Sequence, residues 1–228
     1  MDACYDVPTS ETGRFIVGHQ CISAEEQSTA RDRARGLLTY GEVLPAGMAK
    51  LLSPAYLDAS SAEVLFDLGM GTGKAAILAF LSFPNLSKVL GIELAESRFR
   101  IARDALHRLA AAAAPAGRFR VVEEREKRDE VPIKGASPPS PPPVSSVTLV
   151  EDVTERALEI RCGDLFEGVA ADELARCEVA LLNTCFPASC YSRLGNLLAC
   201  RLSHPHPHRR RGEIQGRGRA RARAAIKK

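Results

Sequence analysis

The chain lacks tryptophan, and aromatic residues make up only 5% of its 228 positions. A protein that binds single-stranded nucleic acid by base stacking needs several aromatic rings, so this composition argues against that class. The longest apolar run, around residues 75–83, is far shorter than the roughly twenty residues that cross a bilayer. The first ten residues include acidic side chains and no apolar run, unlike a secretory signal. These absences predict a soluble intracellular protein without a membrane partner.

Paired C-x-x-C spacing is also absent, although the chain has seven cysteines. An odd number of scattered cysteines is typical of free thiols in a reducing compartment. A metal site is the alternative, but its spacing matches no familiar zinc pattern. Its ligands would come from Cys185, Cys190, Cys200, His204, His206 and His208. We therefore expect no bound metal.

Charge is distributed unevenly along the chain, whose net charge is +3. Residues 204–228 carry nine basic side chains and one acidic one, a net charge of +8. The rest of the chain has 22 basic and 27 acidic side chains, a net charge of −5. The sequence thus predicts a mildly acidic domain followed by a strongly basic tail.

Apolar strands alternate with helical patterns through the middle of the chain, which predicts a Rossmann-like α/β fold with parallel strands and right-handed crossovers. The predicted strands are residues 64–67, 89–93, 157–162 and 178–183, and the main predicted helices are residues 43–52, 74–83, 97–114, 169–176 and 191–202. A polar lead-in (residues 1–36) precedes this domain (residues 37–203), and a short helix over residues 23–34 is expected within the lead-in.

A proline-rich insertion, about residues 116–147, interrupts the pattern. Its run Ser137-Pro-Pro-Ser-Pro-Pro-Pro143 cannot join a helix or a sheet, so we interpret it as a solvated linker. After the fourth predicted strand no further strand is recognisable, which predicts a sheet that is incomplete after that strand. Residues 204–228 are expected to form a disordered basic tail. Such a tail is either a genuine arm that binds phosphates or the product of a misjoined or truncated gene.

The most informative motif is Asp67-Leu-Gly69-Met-Gly71-Thr-Gly73, at the end of the first predicted strand. Ligands of open α/β sheets bind beyond such strand ends, and glycines let the backbone approach them closely. Glu93 ends the second predicted strand, where an acid can bind the ribose hydroxyls of an adenosine. The motif therefore predicts a nucleoside-containing cofactor.

Two cofactor classes share these features. The carboxylate of Asp67 suits the positively charged methionine portion of S-adenosylmethionine, whereas it would repel the diphosphate of a dinucleotide. The spacing Gly-x-Gly-x-Gly also differs from the dinucleotide fingerprint Gly-x-Gly-x-x-Gly. Asp164, after the third predicted strand, is placed to bind the adenine amino group. S-adenosylmethionine is therefore favoured over a dinucleotide.

The loop Tyr40-Gly41-Glu42, upstream of the glycine motif, resembles the paired signature of the disruptor-of-telomeric-silencing (Dot) family of histone-lysine methyltransferases. Three later segments fall in the same order as in that family: Gly91-Ile-Glu93, Gly163-Asp164-Leu-Phe166 and Leu182-Asn183-Thr-Cys-Phe186. The resemblance covers about residues 37–202, apart from the insertion. The family's later strands and channel-lining aromatic residues have no counterparts here.

The resemblance implies a role for each site residue. Tyr40, Gly41 and Glu42 would fold over the methionine end of S-adenosylmethionine. Asp67, Gly69, Gly71 and Gly73 would hold that end from below, Glu93 the ribose, and Asp164 and Phe166 the adenine. Asn183 would lie near the transferred methyl group, so Tyr40 and Asn183 are the expected catalytic residues.

The expected partner is a histone or nucleosome, which places the protein in the nucleus. Nucleic acid could also bind the tail at Arg209–Lys228. The alternatives are another protein or small-molecule acceptor, or an inactive truncated remnant that binds the cofactor.

Overall fold

A seven-stranded mixed β-sheet forms the centre of the computed structural model, which describes residues 5, 22–28, 41–125, 145–182, 190–199 and 223–226. The strands are β1 Val64–Leu68, β2 Lys88–Glu93, β3 Phe119–Arg125, β4 Ser145–Glu151, β5 Ala157–Cys162, β6 Val179–Leu182 and β7 Arg223–Ile226. Their order in the sheet is β3-β4-β5-β2-β1-β6-β7. The described residues thus form an α/β fold.

Five strands, in the order β5-β2-β1-β6-β7, run parallel to one another. From β1 the chain passes to β2 and then to the edge strand β3, and it returns inward through β4 to β5, beside β2. It then crosses to the other side of β1 at β6. The order of the strands thus reverses at β1, and ligands of open α/β sheets bind beyond the carboxyl ends of the strands at such a point. The topology is compatible with a Rossmann-like fold.

Helices cover both faces of the sheet: α1 Pro45–Leu52, α2 Lys74–Ser82, α3 Glu96–Ala113, α4 Leu165–Gly168, α5 Ala171–Arg176 and α6 Tyr191–Ala199. Leu65 of β1 belongs to the core on one face, with residues of α1, α2 and α3. Its neighbour Phe66 belongs to the core on the other face, with Leu165, Leu174 and Leu194. Strands buried on both faces are almost continuously apolar, which is why the central strands were recognisable.

The four predicted strands are all present, and their boundaries agree to within one or two residues. The five main predicted helices are present too, and the one expected over residues 169–176 is α5. The short helix α4, just before it, was not predicted. The helix predicted over residues 97–114 is α3, which begins one residue earlier, at Glu96. Residues 24–28 of the predicted lead-in helix are helical.

The prediction that residues 116–147 only interrupt the fold was wrong at both ends of that range. Strands β3 and β4 lie there and pair antiparallel, and β4 also pairs antiparallel with β5. The proline run itself lies outside the described residues. The proline run predicted a linker for the whole range. The apolar residues Phe119 and Val147, near its two ends, are nevertheless buried in the core.

The prediction of a sheet without a strand after β6, followed by a wholly disordered tail, was also wrong. Residues Arg223–Ile226 form β7, which pairs in parallel with β6 along its full length. An open strand edge presents backbone N–H and C=O groups that another strand can satisfy whatever its side chains are. Among the described residues, no helix is both long and apolar enough to cross a membrane.

The buried guanidinium of Arg156 connects α2 to the sheet. It donates hydrogen bonds to the carbonyl oxygens of Phe80 and Phe83, at 3.1 and 3.0 Å, at the end of α2. It also donates a 2.8 Å bond to Glu151. The bond from Arg156 is the main reason why the pKa of Glu151 is lowered to about 2. Arg156 thus satisfies helix-end carbonyls that have no partner within the helix.

We expect the substitution Arg156→Met to lower the free energy of unfolding by about 3 kcal/mol, because it leaves a buried carboxylate and helix-end carbonyls without their partner. Urea denaturation followed by circular dichroism measures the change. Arg100→Met is the control, since Arg100 forms an exposed pair with Glu96 that contributes about 0.5 kcal/mol or less. Equal losses in the two variants would contradict the assigned role of Arg156.

Candidate functional site

Three glycines shape the turn between β1 and α2. Gly69, Gly71 and Gly73 have φ angles of 88°, 59° and 79°, a region that strains residues with a side chain. A Cβ atom on Gly73 would also lie 3.0 Å from the Cβ of Ala102, on α3. The N–H of Gly69 donates a 2.9 Å hydrogen bond to the carbonyl oxygen of Ile92. The turn therefore crosses the carboxyl ends of β1 and β2.

Asp67 is the buried acid beneath this glycine turn. Its side chain is in the fourth position of β1, and only 2% of the residue is exposed. Its Oδ2 atom has no hydrogen-bond partner among the described residues. Burial, and then the charge of Glu93, raise the pKa of Asp67 to about 7, although the N–H of Ala76 acts in the opposite direction. A buried carboxylate oxygen without a partner is costly unless a cation or a donor satisfies it.

Glu93, the last residue of β2, clamps the turn. Its Oε2 accepts a 2.9 Å hydrogen bond from the N–H of Gly71, and its Oε1 accepts one of 2.9 Å from Ala95. The guanidinium of Arg98 lies 3.6 Å from Oε1. Burial raises the pKa of Glu93, while these N–H groups and Arg98 lower it in part. Because a carboxylate can accept about four hydrogen bonds, Glu93 retains acceptor capacity for a ligand hydroxyl.

The turn after β5 lies beside Glu93. The N–H of Gly163 donates a 2.8 Å hydrogen bond to the backbone carbonyl oxygen of Glu93. The next residue, Asp164, caps α4 by accepting a 2.8 Å bond from the N–H of Phe166. The guanidinium of Arg193, on α6, lies 4.4 Å from the centre of the Phe166 ring. Asp164 and Phe166 therefore lie at the same edge of the sheet as the glycine turn.

The loop before α1 contacts the other side of the glycine turn. Glu42 Oε2 lies 2.7 Å from the Nζ atom of Lys74, the first residue of α2. The hydroxyl of Thr72 donates a longer, 3.4 Å bond to Glu42 Oε1. Gly41, next to Glu42, is exposed. The loop Tyr40-Gly41-Glu42 was expected to fold over the site, and its residue Glu42 contacts the glycine turn.

The structure brings together most of the residues predicted for the site. These are Glu42, Asp67, Gly69, Gly71, Gly73 and Glu93 around the turn, with Asp164 and Phe166 along the same edge. Tyr40 and Asn183, the two expected catalytic residues, lie outside the described residues. Asn183 follows Leu182, the last residue of β6, in the sequence.

Sequence reasoning missed four residues, three of which contact the site. Lys74 and Thr72 lie within or next to the glycine motif, so their positions could have suggested a role. Tyr5 gave no such signal, yet its hydroxyl donates a 3.0 Å hydrogen bond to the carbonyl oxygen of Thr72. Glu26 was missed as well: its Oε1 accepts a 2.8 Å bond from the N–H of Ser97, in the first turn of α3. Neither contact follows from local periodicity.

The arrangement suits a ligand that carries a positive charge and hydroxyl groups, because it offers two buried carboxylates beneath backbone that can approach closely. Within the described ranges, no three His, Cys, Asp or Glu side chains are grouped as metal ligands would be. No protein-family model matches the chain, and no curated protein matches its sequence.

We expect Asp67→Asn to stabilise the protein at pH 8 but not at pH 4. The raised pKa means that the folded chain keeps a proton which the unfolded chain releases between about pH 4 and 7. The stability of the wild-type protein therefore falls as the pH rises through this window. At about 1.4 kcal/mol per pKa unit, the variant should gain about 2–4 kcal/mol at pH 8. Urea denaturation at both pH values tests this, and a pH-independent difference would contradict it.

Proposed function

We propose that the protein is an S-adenosylmethionine-dependent protein-lysine N-methyltransferase whose acceptor is a lysine of a nucleosomal histone. The observation that carries the cofactor assignment is the buried Oδ2 atom of Asp67 beneath the glycine turn, which has no hydrogen-bond partner in the described part of the chain. A cationic group is the partner that compensates such a carboxylate best. The methionine portion of S-adenosylmethionine provides positive charge in its ammonium and sulfonium groups.

The other residues of the edge fit the rest of this cofactor. Glu93 would accept hydrogen bonds from the ribose hydroxyls while keeping its bonds to Gly71 and Ala95. Asp164 and Phe166 would hold the adenine, the former by hydrogen bonding and the latter by stacking. A dinucleotide fits less well, because the carboxylates of Asp67 and Glu93 would repel its diphosphate.

When bound, the cofactor supplies a methyl carbon that its sulfonium group has already activated. The protein then has to hold the acceptor amine in line with that carbon and to keep it neutral, because protonated lysine has no free electron pair. Exclusion of water favours the neutral amine. We assign the loop Tyr40-Gly41-Glu42 to closing over the methionine end and Asn183 to the mouth of the lysine channel, both by resemblance to the Dot family.

The acceptor assignment depends on the Tyr40-Gly41-Glu42 loop and on the basic tail. Arginines of the tail would contact nucleosomal phosphates without reading sequence. Residues Arg223–Ile226 of the tail form β7 and pair with β6. The arginines at 209–211 are therefore the better candidates for phosphate contacts. A nuclear location follows from this substrate class and is part of the same proposal.

Calorimetry with S-adenosylmethionine tests the cofactor assignment. We expect saturable binding by the wild-type chain and a loss of about 10-fold or more in affinity in Asp67→Asn, since a charge-assisted contact contributes about 1.5–3 kcal/mol. Glu63→Gln is the matched control, because the exposed Glu63 precedes β1 at the opposite end of the strand. Equal affinities of Asp67→Asn and wild type would exclude the proposed position of the methionine end.

A methyltransfer assay tests the acceptor. We expect tritium transfer from labelled S-adenosylmethionine to recombinant nucleosomes and little transfer to free histones, with Asp67→Asn, assayed at a cofactor concentration below its weakened Kd, as the low-activity reference. Transfer to free histones alone, or to an unrelated protein, would redirect the proposal to another acceptor. Cofactor binding without any transfer would indicate an inactive cofactor-binding protein.

A further inference from the structure

Four residues from three separate parts of the chain contact one another in a ring at the glycine turn. We call this group the turn latch; its members are Tyr5, Glu42, Thr72 and Lys74. The Tyr5 hydroxyl donates to the carbonyl oxygen of Thr72 at 3.0 Å. The Thr72 hydroxyl donates to Glu42 at 3.4 Å, and Glu42 lies 2.7 Å from Lys74 Nζ. Lys74 Nζ in turn lies 5.4 Å from the centre of the Tyr5 ring, which closes the set.

The turn latch and Glu93 hold the same turn at different residues. Glu93 binds the N–H of Gly71, whereas the latch uses Thr72 and Lys74, the residues on either side of Gly73. The latch therefore joins two parts of the chain that precede β1, at residues 5 and 42, to the ligand-binding edge of the sheet.

Burial makes these contacts stronger than ordinary surface pairs. Tyr5 is only 7% exposed and belongs to the apolar core, while its hydroxyl is hydrogen-bonded. The side chains of Lys74 and Glu42 are 22% and 28% exposed, so their ion pair is partly shielded from water. Shielding strengthens the attraction between opposite charges, and a cation over an aromatic ring adds to it. Lys74 is thus held between a carboxylate and a ring.

We propose that Lys74 is the positioning residue for Glu42, and that Tyr5 locks this arrangement, so that the turn latch sets the rate at which the cofactor leaves. This inference rests on the proposed function. Lys74 fixes the direction of the Glu42 carboxylate, and Tyr5 fixes the backbone of the turn at Thr72. These contacts hold the loop at residues 41–44 against the turn, so we expect a ligand beneath the turn to leave more slowly while they are intact.

Stopped-flow measurement of S-adenosylmethionine binding and release tests the proposal on the full chain. We expect Lys74→Met and Tyr5→Phe to raise the dissociation rate by about 5- to 10-fold with little change in the association rate, as most interface changes act on dissociation. Lys74→Arg should remain within about 2-fold of wild type because it keeps a cation beside Glu42 and over the Tyr5 ring. Lys50→Met is the matched control, since Lys50 also lies over an aromatic ring, that of Tyr56, at 5.8 Å.

A double-mutant cycle separates positioning from general destabilisation. If Lys74 acts through Glu42, Lys74→Met should have little further effect on the dissociation rate in the Glu42→Gln background. Additive effects, or unchanged rates in both Lys74→Met and Tyr5→Phe while the wild-type chain binds, would overturn the latch and leave the proposed function standing. No saturable binding by the folded wild-type chain would overturn both.

Discussion

The hydrogen bonds of Glu93 tie together the strand-end turns on which the rest of the site depends. Its carboxylate binds the N–H groups of Gly71 and Ala95, and its backbone carbonyl oxygen accepts from Gly163. One residue therefore joins the glycine turn, the start of α3 and the turn after β5. A buried charge is tolerated at this position because several donors surround it, which is the condition under which charges persist inside proteins.

Asp67 is a buried acid like Glu93, but the two differ in their hydrogen-bond partners. Its Oδ2 atom has no partner among the described residues, and burial and the charge of Glu93 raise its pKa to about 7. A fold gains no stability from such an acid, so its presence at the carboxyl end of β1 points to binding rather than to packing. Glu93 thus connects the turns of the candidate site, while Asp67 is the acid that the cofactor would compensate in the proposed function.

The edges of the sheet explain why sequence patterns failed in two places. The central strands β1, β2 and β6 are buried on both faces, so their apolar runs were recognisable. The hairpin of β3 and β4 lies at one side of the sheet, and β7 lies at the other. Position and backbone pairing, more than side-chain pattern, define these outer strands. The neighbouring sequence is rich in proline near β4 and in arginine near β7. For this reason neither strand was predicted.

The sequence by itself determined the α/β class, the glycine turn and its two acids, because each depends on residues that are close together in the chain or on a simple apolar run. Only the tertiary structure decided that Glu93 binds Gly71, that Gly163 joins Glu93, and that Tyr5 reaches Thr72. These contacts connect residues separated by 22 to 70 positions, counted along the chain. Local propensity carries no information about such pairs, because they form only when the sheet brings its strand ends to one edge.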